Sequence, residues 1–239
     1  MTSKSLSLLK SPALVFFVFA VANLIASFTN HIDDADEPFG YWEPLHYLLY
    51  GHGLQTWEYA PEFAIRTYAF VAPLVAIGRI AKPFMSKLDM FQLIRTVLGV
   101  FTAYSQSRFV VAIRQRFSET EGLLTMLLIL LSPGVFFSST SLLPSAVAMN
   151  LVMLSYSSWM TNQCVSCITF GCFAVLWSGW PFVAVLFIPA GAALLVSAWN
   201  KGGVWGLVRL AMEGLFILSA IAIPAMLLDF RMYGRRYAL

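Results

Sequence analysis

Four carboxylates fall within five positions at Asp33, Asp34, Asp36 and Glu37, and Glu43, Glu58 and Glu62 follow. Seven of the chain's 12 acidic residues therefore lie between residues 31 and 62, together with all 3 histidines. Aromatic rings are threaded through the same stretch: Tyr41, Trp42, Tyr47, Tyr50, Trp57 and Tyr59. No Lys or Arg occurs between Lys10 and Arg66, so no sequence neighbour neutralises these acids. Paired carboxylates suit glycosyl or acyl transfer, where one takes the proton of an attacking hydroxyl and another holds sugar hydroxyls or tunes its neighbour. Asp34, Asp36 and Glu37 are close enough in sequence to repel one another. A solvated acidic loop is the plainer meaning of the same pattern, and spacing alone does not separate the two.

His31, His46 and His52 lack the compact spacing of metal ligands, so no metal is expected and no cofactor is called for. His46 reads better as a hydrogen-bonding group of a short helix or of a sugar subsite. Trp42, Trp57 and the Gly179-Trp180-Pro181 turn offer rings that stack on sugars or anchor at a membrane interface, with equal weight for each. A lipid-linked phosphate donor needs a cation near the carboxylates. Arg66 and the group Arg231, Arg235 and Arg236 are the candidates, with snorkelling from a span end as the ordinary alternative for Arg66.

The elements that carry this cluster are membrane helices. A 239-residue chain that is 59% hydrophobic and 11% charged has too little polar surface to coat a soluble globule of its size. Its net charge of +3 is small and scattered, which argues against nucleic acid as a partner. Apolar segments recur at residues 12–28, 65–80, 91–113, 122–137, 142–159, 164–177, 182–199 and 207–228. Several are shorter than the ~20 residues that cross a bilayer upright, so a cavity-containing bundle is expected. Cys164-x-x-Cys167 has metal-like spacing but no second pair, and reads as small packing residues of a membrane helix.

Lys4 and Lys10 place the N-terminus in the cytosol, with residues 12–28 as an uncleaved signal-anchor and the acidic loop across the membrane. Arg79, Lys82 and Lys87 are then expected back in the cytosol. Arg114 and Arg116 join them if residues 91–113 form two short helices turning near Tyr104-Ser-Gln-Ser107, with Arg95 and Arg108 held in protein. Continued alternation puts residues 138–141, 178–180 and 229–236 on the loop's side. Three parts follow: residues 1–29 as N-terminus and first span, 30–64 as the acidic and aromatic loop, and 65–239 as the remaining spans. Within the loop, Pro44 suits a first helical turn, Trp42, Leu45 and Leu49 recur at helical spacing, and Gly51 and Gly53 end it, giving an amphipathic helix on the bilayer surface.

These residues resemble a known family. Asp36-Glu37, Tyr41-Trp-Glu-Pro44, His46-Tyr-Leu-Leu-Tyr-Gly51, Gln55-Thr-Trp-Glu-Tyr59 and Ile65-Arg66 are similar to the dolichyl-phosphate-mannose-dependent mannosyltransferases of glycosyltransferase family 22, in particular its alpha-1,2-mannosyltransferases of asparagine-linked glycosylation. Leu143-Pro-Ser145, Gly179-Trp-Pro-Phe182 and Tyr233-Gly234 extend the likeness. Ala35, Pro38 and Gly40 depart from it, where the family carries a cysteine, a hydroxyl residue and an asparagine. Family members are longer, so the chain is expected to correspond to their N-terminal membrane module.

The resemblance implies an all-α polytopic membrane protein, a GT-C-type transmembrane helix bundle whose luminal acidic loop carries short interfacial helices. It implies inverting transfer of mannose from dolichyl-phosphate-mannose to a dolichyl-diphosphate-linked oligomannose acceptor, in alpha-1,2 linkage, at the luminal face of a multi-pass endoplasmic reticulum membrane protein. Asp36 is then the expected base, Glu37 its partner or a sugar ligand, and Asp34 the reserve. Tyr41, Trp42, Glu43, His46, Gln55, Trp57, Glu58, Arg66, Trp180 and Arg231 are the expected substrate contacts, and the lipid bilayer is a partner throughout. Two rivals compete with the enzyme: a non-catalytic membrane scaffold, and a transporter subunit whose pathway Arg95 and Arg108 would line.

Overall fold

A computed structural model describes residues 11–234, all helix, turn and loop, with no strand among the described residues. Lys4, Lys10, Arg235 and Arg236 lie outside the described residues. The bundle opens with α1 (Pro12–Thr29), begun by a proline at its first turn and free of charge along its length. Short helices α2 (Glu43–Tyr50) and α3 (Ala72–Ala81) follow, then the long α4 (Lys87–Arg116). Next come α5 (Glu119–Leu131), α6 (Pro133–Ser138), α7 (Pro144–Met160) and α8 (Cys164–Cys172), which runs on through a π-helical turn Phe173–Trp177. The last element, α9 (Ile188–Tyr233), reverses at Gly203, whose φ of 54° and ψ of −134° lie outside helical space and suit only glycine. α1, α4 and the apolar stretch Pro181–Tyr233 are long and apolar enough to cross a membrane, so the expected all-α membrane bundle is what the chain forms.

Two expected spans are corrected. Residues 91–113 are not two short helices, because α4 runs unbroken from Lys87 to Arg116. The polar run that suggested a turn is satisfied within the bundle instead. Ser105 and Ser107 donate to their own helix at Phe101 O (2.9 Å) and Tyr104 O (2.8 Å), and Gln106 accepts from Asn23 Nδ2 of α1 at 3.1 Å. Ser86 caps the helix in a reciprocal pair with Asp89. Gly99 lets α1 approach closely: a Cβ there would sit 3.2 Å from Asn23 O. Arg95, only 6% exposed, donates to Thr140 Oγ1 at 3.2 Å, so this charge faces protein as expected.

Residues 65–80 do not form a span either. Only α3 is helical there, and its 10 residues reach roughly 15 Å, half of a ~30 Å hydrocarbon core. Its buried face, Leu74 and Val75, packs on Leu45 and Leu49 of α2 and on Met90 and Ile94 of α4. The amphipathic α2 thus turns its apolar side to protein. Pro44 starts it and Gly51, at φ 79°, ends it, as the spacing predicts. At Gly78 a Cβ would lie 2.9 Å from both Leu49 methyl carbons, so the two short helices touch through a glycine.

Lys82 Nζ then donates to Leu49 O at 2.8 Å, and Lys82 and Lys87 both sit over the Tyr50 ring. These two lysines therefore lie beside α2, on the side of the acidic loop. The two corrections cancel in the alternation that follows. Ser139, Leu142, Gly179 and Asp229 all end beside the loop.

Candidate functional site

The acidic loop is folded against the bundle by a small number of inward bonds. Asp34 Oδ1 accepts from Asp36 N at 2.9 Å, a local turn that leads into the π-helical turn Pro38–Trp42. Glu37 is 4% exposed and points inward, where its Oε1 accepts from Trp42 Nε1 and from Leu142 N, each at 2.9 Å. One carboxylate oxygen thereby ties the loop to the chain that enters α7. Trp42 is engaged on its other side by the Phe91 ring, 4.6 Å away between centroids.

Asp36 points outward and is met by Arg66. The guanidinium Nη2 lies 2.5 Å from Asp36 Oδ1, while Nε and Nη2 grip the two oxygens of Glu58 at 3.0 and 3.1 Å. Nη1 donates to the Tyr41 hydroxyl. The cation that sequence places 30 residues away therefore neutralises this part of the loop in space. Gly40 makes the approach possible, since a Cβ there would stand 3.0 Å from Asp36 Oδ1 and 3.5 Å from Arg66 Cζ. Its position in the π-helical turn brings the backbone against the ion pair.

Aromatic hydroxyls and the end of α9 brace the cluster. Tyr59 donates to Gly40 O at 2.9 Å, Gln55 Nε2 donates to the Tyr68 hydroxyl at 3.1 Å, and Tyr233 of α9 donates to Arg66 O at 2.5 Å. Asp229 Oδ1 accepts from Tyr68 N at 2.8 Å. Burial raises the Tyr59 and Tyr68 phenols, and it pushes Tyr41 up to about 12 although the neighbouring Arg66 pulls the other way. For Arg66 burial acts downward, but the bonds to Asp36 and Glu58 and the Tyr41 ring outweigh it and hold the charge more firmly.

Of the residues singled out by sequence, the structure brings together Asp36, Tyr41, Glu58 and Arg66, with Gln55 linked to them through Tyr68 and then Tyr233. Glu43 and His46 lie elsewhere: Glu43 Oε2 accepts from Leu54 N at 3.0 Å, and His46 Nδ1 is 2.9 Å from His52 O, which fastens the chain after α2. Among the described residues no group of three His, Cys, Asp or Glu is arranged to hold a metal ion. Trp57 and Trp180 are exposed, Trp180 at the Gly179 turn that approaches Thr67, and Arg231 is exposed near the end of α9. Tyr59 is expected only as one of the aromatic rings of the loop, and Tyr68 and Asp229 are not among the expected site residues. Asp229 carried a signal, since it is an acid at the end of an otherwise apolar segment.

The Alg9-like mannosyltransferase family model matches residues 14–238. Among curated relatives, alpha-1,2-mannosyltransferase alg9 of Schizosaccharomyces pombe is 42% identical over 182 residues, 73% of this chain and 31% of its own length. Alpha-1,2-mannosyltransferase Alg9 of Drosophila melanogaster is 34% identical, covering 92% of this chain and 34% of its own. The Homo sapiens protein of that name is 33% identical, with 90% and 34% covered. The chain thus spans about a third of the length of the curated relatives it matches. No solved structure matches it.

Proposed function

Because the chain belongs to the Alg9-like mannosyltransferase family, we propose that it forms the acidic-loop half of a site transferring mannose from dolichyl-phosphate-mannose to a mannose of a dolichyl-diphosphate-linked oligosaccharide. The transfer is inverting, makes an alpha-1,2 linkage and takes place at the luminal face of the endoplasmic reticulum membrane. Asp36 accepts the proton of the acceptor hydroxyl as its oxygen bonds to the mannose anomeric carbon, and the bond from that carbon to the phosphate oxygen breaks. Asp34, exposed two residues away, is the reserve base. The inward bonds of Glu37 give it a positioning part, fixing the height of the loop over the bundle. Trp57 and Trp180 offer exposed rings to the sugars.

The observation that carries this reading is Asp36 itself: an outward carboxylate, 44% exposed, set in a loop that is otherwise bonded down onto membrane helices. A scaffold needs no such group, and a transporter needs no mannose donor. The test is transfer from labelled dolichyl-phosphate-mannose to a defined acceptor in microsomes containing the protein. Asp36→Asn is expected to lower transfer by about 100-fold or more while the protein remains resistant to carbonate extraction. Turnover near the unsubstituted level removes the assignment.

A further inference from the structure

The ion pair that occupies Asp36 is unequal in its two arms. Glu58 holds Arg66 through two parallel bonds and is 21% exposed, whereas Asp36 contributes one oxygen and is 44% exposed. A bidentate, partly buried pair persists, and a single-point pair open to solvent exchanges readily. Both arms meet on Nη2, which therefore stays oriented by Glu58 when Asp36 leaves. An anion that takes the place of Asp36 costs the guanidinium no bond. Asp36 as it stands shares one oxygen, Oδ1, with a cation.

We propose that Arg66 is a latch on Asp36, opened when the phosphodiester of a polyprenyl-phosphate sugar takes the Asp36 place on the guanidinium. The proposal rests on the reading of Asp36 as the base, and makes Arg66 and Glu58 positioning residues. The phosphate arrives carrying the sugar, displaces one carboxylate and leaves the other in place. Asp36 thereby sheds its cation only with a donor at hand. Gly40 sets the closeness of the latch, because the atom that a new Cβ would meet first is the end of the Asp36 side chain, which can swing away without moving the backbone.

The test reads the Asp36 carboxylate directly, by labelling with a water-soluble carbodiimide and an amine, and mapping peptides of the detergent-solubilised chain by mass spectrometry. In the unsubstituted protein, farnesyl phosphate is expected to raise Asp36 labelling several-fold and to leave Glu58 labelling low. Farnesol at the same concentration is expected to do nothing, and release by inorganic phosphate alone also supports the exchange, assigning recognition to the anion. Gly40→Ala keeps the guanidinium and is expected to raise Asp36 labelling without any added anion. Arg66→Lys, which offers one point charge in place of a fork, is expected to restore cover of either carboxylate only in part.

Asp36 labelling that stays low under saturating farnesyl phosphate overturns the latch and leaves Arg66 a fixed brace. A parallel rise at Glu58 also overturns it, since the whole cluster would then have come apart. Mannose transfer in microsomes is scored separately: lost transfer with intact anion-driven release condemns the reaction and not the latch, and the converse result condemns the latch alone.

Discussion

Tyr41 is the residue whose chemistry reports most directly on the cluster. Its ring lies under the Arg66 guanidinium, 4.9 Å from centroid to Cζ, and its phenol is held up to about 12 by burial, against an ordinary value of ~10. A group whose pKa is higher folded than unfolded adds stability that is fully present below the unfolded value and is lost as pH climbs through the folded one. The Tyr41 contribution is therefore intact at pH 9 and disappears between pH ~10 and ~12. In an alkaline titration followed by tyrosinate absorbance, Tyr41→Phe is expected to remove one ring from the step near pH 12. An unchanged late step would mean that Tyr41 is wetter than its packing.

Helices α2 and α3, with the turn between α6 and α7, set where the cluster sits, and Glu37 is the joint between them. Glu37→Ala leaves Leu142 N without its acceptor in a buried place, at a cost of about 1–3 kcal/mol, and removes the acceptor of the half-buried Trp42 Nε1 as well. Glu37→Gln keeps an amide oxygen for both. Thermal unfolding in detergent is expected to separate the two variants, with the glutamine close to the unsubstituted protein and the alanine markedly lower. The start and stop of α2 were legible at Pro44 and Gly51 because those residues act locally, through fixed φ and left-handed φ. The continuity of α4 was not, because Gln106 is satisfied by Asn23, 83 positions away, and hydropathy has no access to such a partner. The loop acids were visible, but their sorting was not: Glu37 faces in and Asp36 faces out through bonds to Leu142 and Arg66 that only the folded bundle supplies.

At the scale of the molecule, the bundle has one end that carries the acidic loop, α2, α3 and the Gly179 turn, and another that carries Arg114, Arg116, Lys201 and Arg209. The preference of basic residues for the cytosol supports the loop as luminal, even though Lys82 and Lys87 lie with it. A glycosylation acceptor inserted between Lys82 and Lys87 is expected to be modified in microsomes, as is one inserted at Gly53, whereas one inserted between Arg116 and Glu119 is not. The opposite pattern would turn the bundle over and remove a luminal reaction.

Asp229 and Tyr233 fasten the backbone at Tyr68 and Arg66, from 161 and 167 positions downstream. A ribosome adding about 5–20 residues per second makes that last helix roughly 8–30 s after the segment it secures. The newborn loop must wait that long, held from below by Glu37 but lacking the clasp that these two bonds supply.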